Sequence, residues 1–467
     1  MSRIHTTPES HATLERRLGP LDAAAIVVSN VIGSGIFFLP IIVAGLMPTS
    51  FGMLSIWLLG GLLAFAGAMA YAELASVRPR AGGEYVYLRD AFGPLTAFLT
   101  GWTSFVAGFS GAIAVSSKAL AQYLGGFFPA AADTSALVTI PIPWAPLVVT
   151  PQSLVAIAAI AALSLIHISG LGPGRLVHNV LATVKVLALI VFILLGFSIG
   201  LGSWSNLTAS HPVASPNTGW LLALIPVMFS YSGWNAAAYV AEEIRNPGRN
   251  VPIALGLGTG AGVLIYLGLN ALYLYALGPS ELAGLIGQKI GLTDAVAQRL
   301  FGQVAGTFLA GFTIISIAAS ISAMVLAGPR VYYAMARDGV FPPVVSRVHN
   351  RFRTPAIAIT VQAVWSSILV LFGSLDDLVQ YTGFAVMLFA GVAVSSLFVL
   401  RRRESATARP FSAWGYPLAP AVFVLASLFM VSYSLYTNNF GERNGLLIIA
   451  AGVPIYFLYW LFARRGQ

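Results

Sequence analysis

Two short stretches put small and polar residues where the surrounding chain is apolar. Val31-Ile32-Gly33-Ser34-Gly35-Ile36-Phe37 interrupts one hydrophobic run, and Phe229-Ser230-Tyr231-Ser232-Gly233-Trp234-Asn235 interrupts another. Glycine lets a chain leave the helix, and a half-helix that restarts after a break offers free N–H groups and a positive dipole end. Gly33, Ser34, Gly35 and Ile36 therefore form a candidate carboxylate site. Unwinding around Val31 and in the second stretch frees carbonyls able to accept from an ammonium. Phe229 stands ready to cover a ligand, and Ser230, Ser232 and Asn235 add polar side chains. Small residues also serve close helix packing, and either stretch alone fits that role. Two such breaks at membrane depth favour a binding site, because unwound backbone inside a bilayer persists only where protein or water satisfies it.

Lys185 is the third feature. It lies ten positions after Arg175 in an apolar run, so about 15 Å deep at a helical rise of about 1.5 Å per residue. A lysine cannot easily snorkel to water from that depth, and an ionisable group held there is costly and functional by default. It can carry a proton, stand as a fixed cation where another carrier binds Na⁺, or tie helix carbonyls together. Lys118 sits nearer a helix end and reads as a snorkelling residue. His167 and His178 flank a turn and read as interfacial, while Glu73, Glu242 and Glu243 are expected to pair with loop arginines. No metal-ligand cluster, nucleotide loop or nucleophile–base pair occurs, so no metal, cofactor or enzymatic chemistry is expected.

The elements that hold these residues follow from solvent preference. Of 467 residues, 57% are hydrophobic and 9% charged, against about 25% charged in soluble chains. Most of the surface must therefore face lipid. Apolar windows long enough to span a bilayer occur near 21–46, 52–77, 94–126, 149–169, 176–200 and 219–243. Six more occur near 252–278, 303–335, 355–373, 380–400, 416–436 and 445–463. The expected fold is an all-α integral membrane protein of about twelve transmembrane helices.

Charge gives the orientation. Alternate loops on one side hold all but three of the loop cations, among them Arg16, Arg17, Arg78, Arg249 and the Arg401-Arg402-Arg403 triplet; the other side holds Lys289, Arg299 and Arg443. This bias puts both termini in the cytoplasm. The same loop placement accounts for the net charge of +9 and argues against nucleic-acid binding. Residues 1–20 form a polar N-terminal segment without the apolar core of a cleavable signal peptide. There is no cysteine, so neither a disulfide nor a cysteine metal site can form.

Five spans separate the two breaks. That spacing is the pattern of an inverted repeat in which each half opens with a discontinuous helix. One half covers 21–200 and the other 219–400, with two additional helices in 416–463.

The chain resembles the amino acid–polyamine–organocation superfamily, in the bacterial form of its L-type amino acid transporter family. The resemblance covers the whole chain. It rests on the two broken-helix motifs, on Pro79-Arg80-Ala81-Gly82-Gly83-Glu84-Tyr85, and on Glu242-Glu243-Ile244-Arg245-Asn246-Pro247 with Asn250-Val251-Pro252. Arg330-Val331-Tyr332-Tyr333 running into Arg337-Asp338-Gly339 adds to it. The resemblance implies a LeuT-type 5+5 inverted repeat working by alternating access, and a sodium-independent amino acid exchanger. It implies carboxylate contacts at Ser34, Gly35 and Ile36, amino-group contacts at carbonyls near Val31 and Phe229, and an aromatic gate at Phe229. It matches the fifth-span lysine to Lys185, the seventh-span tyrosine to Tyr273, and the eighth-span residue facing the lysine to Ser320. Ser232 stands where many members carry glycine, which narrows the pocket and favours small neutral substrates. Animal members carry a cysteine that links a glycoprotein subunit, and without cysteine that covalent partner is excluded. The expected function is sodium-independent exchange of neutral L-amino acids across the cell membrane. The alternatives are proton-coupled uptake, exchange of amines or cationic amino acids, and a sensor that binds without transport. The break motifs hold no carboxylate, which counts against a cationic substrate.

Overall fold

The structure is a computed structural model and describes residues 14–142, 146–213, 219–288, 291–372, 375–437 and 440–465. The expected N-terminal segment 1–20 therefore falls outside the described residues up to position 13, as does Lys289.

The first helix, α1 (Pro20–Val31), starts on a proline, which needs no N–H partner there. Its entry is fixed by the Asp22 carboxylate, which accepts from the Gly19 N–H at 2.8 Å. It ends at Val31, where Gly33-Ser34-Gly35 releases the chain into a 3₁₀ turn at Gly35–Phe37, and α2 (Leu39–Leu46) then resumes. A long α3 (Ser50–Val77) follows, its first turn capped by the Thr49 hydroxyl. A short helix, α4 (Glu84–Phe92), lies in the connection to α5 (Pro94–Thr103) and α6 (Phe109–Leu124), which are joined by a π-helical turn at Ser104–Gly108. An antiparallel hairpin, β1 (Val138–Ile140) with β2 (Leu147–Val149), pairs Val138 with Val149 and leads to α7 (Pro151–Ile168) and α8 (Leu171–Ile199).

The second break separates α9 (Gly219–Ser230) from α10 (Ala236–Tyr239), with Gly233 at φ +96°. Beyond it come α11 (Pro247–Gly284), kinked at Gly278, then α12 (Leu292–Phe301), α13 (Gln303–Ala327) and α14 (Pro329–Arg337). The chain closes with α15 (Ala356–Phe372), α16 (Leu375–Arg403), α17 (Leu418–Thr437) and α18 (Phe440–Arg465).

Every apolar window of the sequence is helical over most of its length, with the first and sixth interrupted at the two breaks. Seven of the described helices are long and apolar enough to cross a membrane, and the first and sixth windows fall short because each is split into two pieces. The chain is a multi-pass, all-α membrane protein. Large apolar side chains such as Leu62, Leu264 and Leu425 are exposed on the outer helices, as lipid contact requires.

The two breaks lie against each other. A Cβ at Gly233 would stand 2.7 Å from the Asn30 Cβ, and one at Gly35 would stand 3.1 Å from the Ser230 Oγ. Gly233 is thus required by both close approach and its positive φ, and Gly35 is favoured by close approach alone, to Ser230. Behind them Trp57, Tyr231 and Tyr266 form a buried aromatic cluster with ring centroids 5.0–5.9 Å apart, and the Tyr231 hydroxyl donates to the Trp57 carbonyl at 3.0 Å. This cluster fixes the second break to α3 and α11.

Ion pairs gather the loops at one end of the bundle. Arg78 binds Asp90 at 2.9 Å, Arg337 binds Glu242 at 3.0 Å, and Arg401 and Arg409 both reach Glu73. Arg330 binds Glu243 through two bonds of 2.7 and 3.0 Å, with both side chains almost wholly buried. The expected pairing of the three glutamates with loop arginines therefore takes place, although the partners of Glu242 and Glu243 come from α14 and not from neighbouring Arg245. Removing one member of a buried pair leaves an uncompensated charge and costs about 3–5 kcal/mol. Arg330→Ala is accordingly expected to lower the thermal midpoint of the detergent-purified protein by several degrees or to prevent its accumulation; an unchanged midpoint in a melting assay would show that the pair holds nothing together.

Candidate functional site

Where α1 ends, its last carbonyls lose their helical partners. Lys185 of α8 supplies a substitute. It is fully buried, and its ammonium donates to the carbonyls of Ser29 (3.3 Å) and Ile32 and to the Ser320 hydroxyl of α13 at 2.8 Å. Ser320 in turn donates to the Ile32 carbonyl at 3.0 Å. A cation at the C-terminal end of a helix also lies favourably in the helix dipole. Lys185 thus clamps three elements at the first break.

A second clamp joins the two breaks. The Tyr266 hydroxyl of α11 lies against the carbonyls of Val31 and Ser230, the latter at 2.9 Å. Tyr273, which the resemblance matched to the seventh-span tyrosine, is buried about two turns further along, and its hydroxyl has no hydrogen-bond partner among the described residues. The 3.6-residue period puts both tyrosines on similar faces of α11, so the sequence alone does not separate them.

Beside the breaks lies a cavity of about 130 Å³. Phe229, Ser232, Gly233 and Asn235 of the second break line it, and α1 contributes Asn30. The expected Val31, Gly33, Ser34, Gly35, Ile36 and Ser230 do not line it; Gly33 and Ser34 are half-buried, and Gly35 and Ile36 are buried. The rest of the wall comes from residues that no motif marked. These include Thr100 and Thr103 of α5, Ser104 at the π-helical turn, Phe109 and Ala112 of α6, Met324 of α13, Phe389 of α16 and Tyr239; Glu84 joins them from the Pro79–Tyr85 motif, which carried the resemblance but no site role. A π turn offers a sequence no local signature, yet it is a common device at functional sites. Thr103 is 2% exposed and its hydroxyl is unpartnered among the described residues.

Glu84 alters the reading of the pocket. The break motifs hold no carboxylate, but α4 brings one to the cavity wall from the loop between two spans. His167 and His178, expected at the interface, are both buried, with His167 Nε2 at 2.8 Å from the Ser322 hydroxyl. Lys118 is half-buried on α6 and does not line the cavity.

A membrane bundle with two broken helices back to back, each break held by protein donors beside a small cavity, is a carrier architecture. The family model described as amino acid permease matches residues 18–462. The chain belongs to this family. Within it the chain is similar to L-type amino acid transporters of the amino acid–polyamine–organocation superfamily. It is 30% identical over 447 residues to the serine/threonine exchanger SteT of Bacillus subtilis, covering 95% of this chain and 97% of that protein. It is 30% identical to the mouse b(0,+)-type amino acid transporter 1, covering 97% of this chain and 90% of that protein. The human cystine/glutamate transporter is also 30% identical, over 97% of this chain and 87% of its own length. The amino acid permease described here is a transporter and not an enzyme.

Lys185→Ala leaves the Ser29 carbonyl unpaired and the Ile32 carbonyl with the Ser320 hydroxyl alone, at about 1–3 kcal/mol for a buried group left without a partner. The variant is expected to elute as a single folded species with a lowered melting point and to lose at least tenfold in amino acid flux into proteoliposomes. A wild-type flux would remove Lys185 from the transport cycle. Tyr266→Phe deletes one hydroxyl shared by both breaks and is expected to weaken substrate binding up to about tenfold, read by scintillation proximity with labelled L-alanine.

Proposed function

We propose that this permease is a sodium-independent exchanger of small neutral L-amino acids. In this reading it crosses the cell membrane twelve times with both termini in the cytoplasm. Residues 21–200 and 219–400 form two inverted five-helix repeats, and 416–463 adds two helices. The substrate carboxylate docks at Ser34, Gly35 and Ile36. Its ammonium meets carbonyls of the second break near Phe229, the expected Val31 carbonyl being already held by Tyr266, and Phe229 closes over it.

The observation that carries sodium independence is the Lys185 clamp. Its ammonium occupies two carbonyl oxygens and a hydroxyl where a broken helix meets α13. Oxygens of this kind coordinate coupling ions in carriers with broken helices, and here a covalently tethered cation already uses them. The cavity volume supports a small substrate, since about 150 Å³ is what a benzene-sized guest needs and this cavity has about 130 Å³. Exchange follows when the empty carrier reorients slowly and a substrate bridging the two breaks lowers that barrier. The printed names of relatives include a serine/threonine exchanger and an Asc-type amino acid transporter, which agrees with small substrates.

One observation favours a rival. Glu84 in the wall is a natural partner for a cationic side chain, so L-lysine or L-ornithine belongs in every competition assay.

The test is uptake of radiolabelled L-alanine into sodium-free proteoliposomes with and without internal unlabelled amino acid. Uptake that requires the internal amino acid is the expected result. Uptake into empty vesicles that grows with an inward proton gradient would replace exchange by proton symport.

A further inference from the structure

Three carboxylates are buried among the described residues: Glu73, Glu84 and Glu243. Glu73 and Glu243 are paired with arginines. Glu84 has no cation within ion-pair distance among the described residues, although it forms part of the cavity wall. Its neighbours are neutral donors. Oε1 accepts from the Tyr239 hydroxyl at 2.8 Å, and Oε2 accepts from the Tyr71 hydroxyl at 3.4 Å and the Asn235 amide at 3.5 Å. The Asn235 amide also donates to the Tyr239 hydroxyl at 3.0 Å.

These donors stand on moving-part candidates. Asn235 and Tyr239 follow the second break directly, and Tyr71 belongs to α3. The Gly82 N–H donates to the Tyr239 carbonyl at 3.2 Å, and Gly83, at φ +53°, lies flat against the Tyr239 ring. The carboxylate therefore ties α3, α4 and α10 together between the cavity and the arginine-rich end of the bundle.

We propose that Glu84 is a proton-binding site on the substrate path, occupied while the Glu84–Tyr71–Asn235–Tyr239 cluster is closed and emptied when that end of the cavity opens to water. An uncompensated carboxylate is expensive to bury, and a proton removes the charge without needing a partner. A protonated Glu84 can still donate to either tyrosine oxygen, so the closed cluster tolerates it. Burial pushes the Glu84 carboxyl up to about 7, against the opposing effect of the Tyr239 and Tyr71 bonds. Opening to water returns it towards the ordinary value of about 4.3. The closed form has the higher pKa, so its advantage is full below the hydrated value and is lost as pH rises through about 7.

No other titrating charge competes at this position. Facing Glu84 are Tyr71 from α3, Tyr87 from its own helix and Tyr239 from α10; α5 brings Thr100 and Thr103 and nothing ionisable. Of the described charges on α14 and α16, Arg330 is held by Glu243, Arg337 by Glu242, Arg401 by Glu73, and Arg403 by the carbonyls of Asp90 and Ala91, while Arg402 is exposed. Those of α4 are likewise engaged, Arg89 with Asp90 and Asp338 and Asp90 with Arg78.

The inference rests on the exchange reading, and its test separates the two. L-alanine exchange is measured in proteoliposomes buffered equally on both sides from pH 6.0 to 8.5, for the wild type and E84Q. Wild-type exchange is expected to fall above pH 7, by up to about tenfold per pH unit, and the profile of E84Q is expected to be flat whatever its absolute rate. A wild-type profile retained in E84Q overturns the proposal. So does competition by L-lysine that is present in the wild type and lost in E84Q, which would assign the carboxylate to a substrate cation. Should E84Q fail to fold, Tyr239→Phe removes a donor to the anion and is expected to move the midpoint upwards; an unmoved midpoint overturns the proposal. If the wild type shows no exchange at any pH, the exchange reading fails alone. A pH-indicator dye then reports whether adding L-alanine to purified protein at pH 7.5 draws protons from solution; uptake upholds Glu84 and its absence overturns it.

Discussion

A backbone that leaves its helix inside a bilayer exposes carbonyls and amides to a solvent that cannot bond them, at several kcal/mol for each group left bare. The arrangement around the two breaks answers that one constraint. The last carbonyls of α1 are received by the Lys185 ammonium, and the Ser320 hydroxyl braces both partners. The carbonyls of Val31 and Ser230 share the Tyr266 hydroxyl. What remains open after these bonds are made is the cavity side of the second break, from Phe229 to Asn235. The protein has thus closed the rear of the breaks with its own donors and left the cavity side of the second break open.

Charge is distributed in a complementary way. The ends of the helices carry arginine–carboxylate pairs in partly wet surroundings, where such pairs are inexpensive. In the described interior Glu73 is held by two arginines; of the other buried groups, Arg330–Glu243, Lys185 and Glu84 are each handled differently. The first is a two-bond ion pair, the second is solvated by backbone dipoles and a hydroxyl, and the third rests on phenols and an amide. A group with only neutral donors is the one whose protonation changes least in its surroundings and most in its energy.

Much of this was legible in the chain, and the reasons are physical. Hydropathy locates helices because lipid permits no other open backbone, and each apolar window is largely helical outside the two breaks. The glycine breaks announce themselves because glycine and serine are out of place in an apolar run. Lys185 and Ser320 meet as expected. The cavity wall was less readable. Glu84 lies in a connecting loop, where an acid is ordinarily solvated, and nothing local says that α4 folds back against the second break. Asn30 sits one turn before the glycine motif, and Thr103 and Ser104 reach the cavity through a π turn that has no sequence signature. Tyr266 and Tyr273 share a helical face, so only depth distinguishes them. Long-range placement, and not residue type, decides each of these.

The back-to-back breaks have a mechanical meaning. At Gly233 against Asn30 and at Gly35 against Ser230, main chain meets neighbour with no side chain to act as a cushion. Two rods touching at a bare point behave as a fulcrum. A tilt of α10 would press on α1 at these contacts, and the aromatic cluster of Trp57, Tyr231 and Tyr266 packs behind them. The two breaks therefore share one contact, and a displacement of either would press directly on the other.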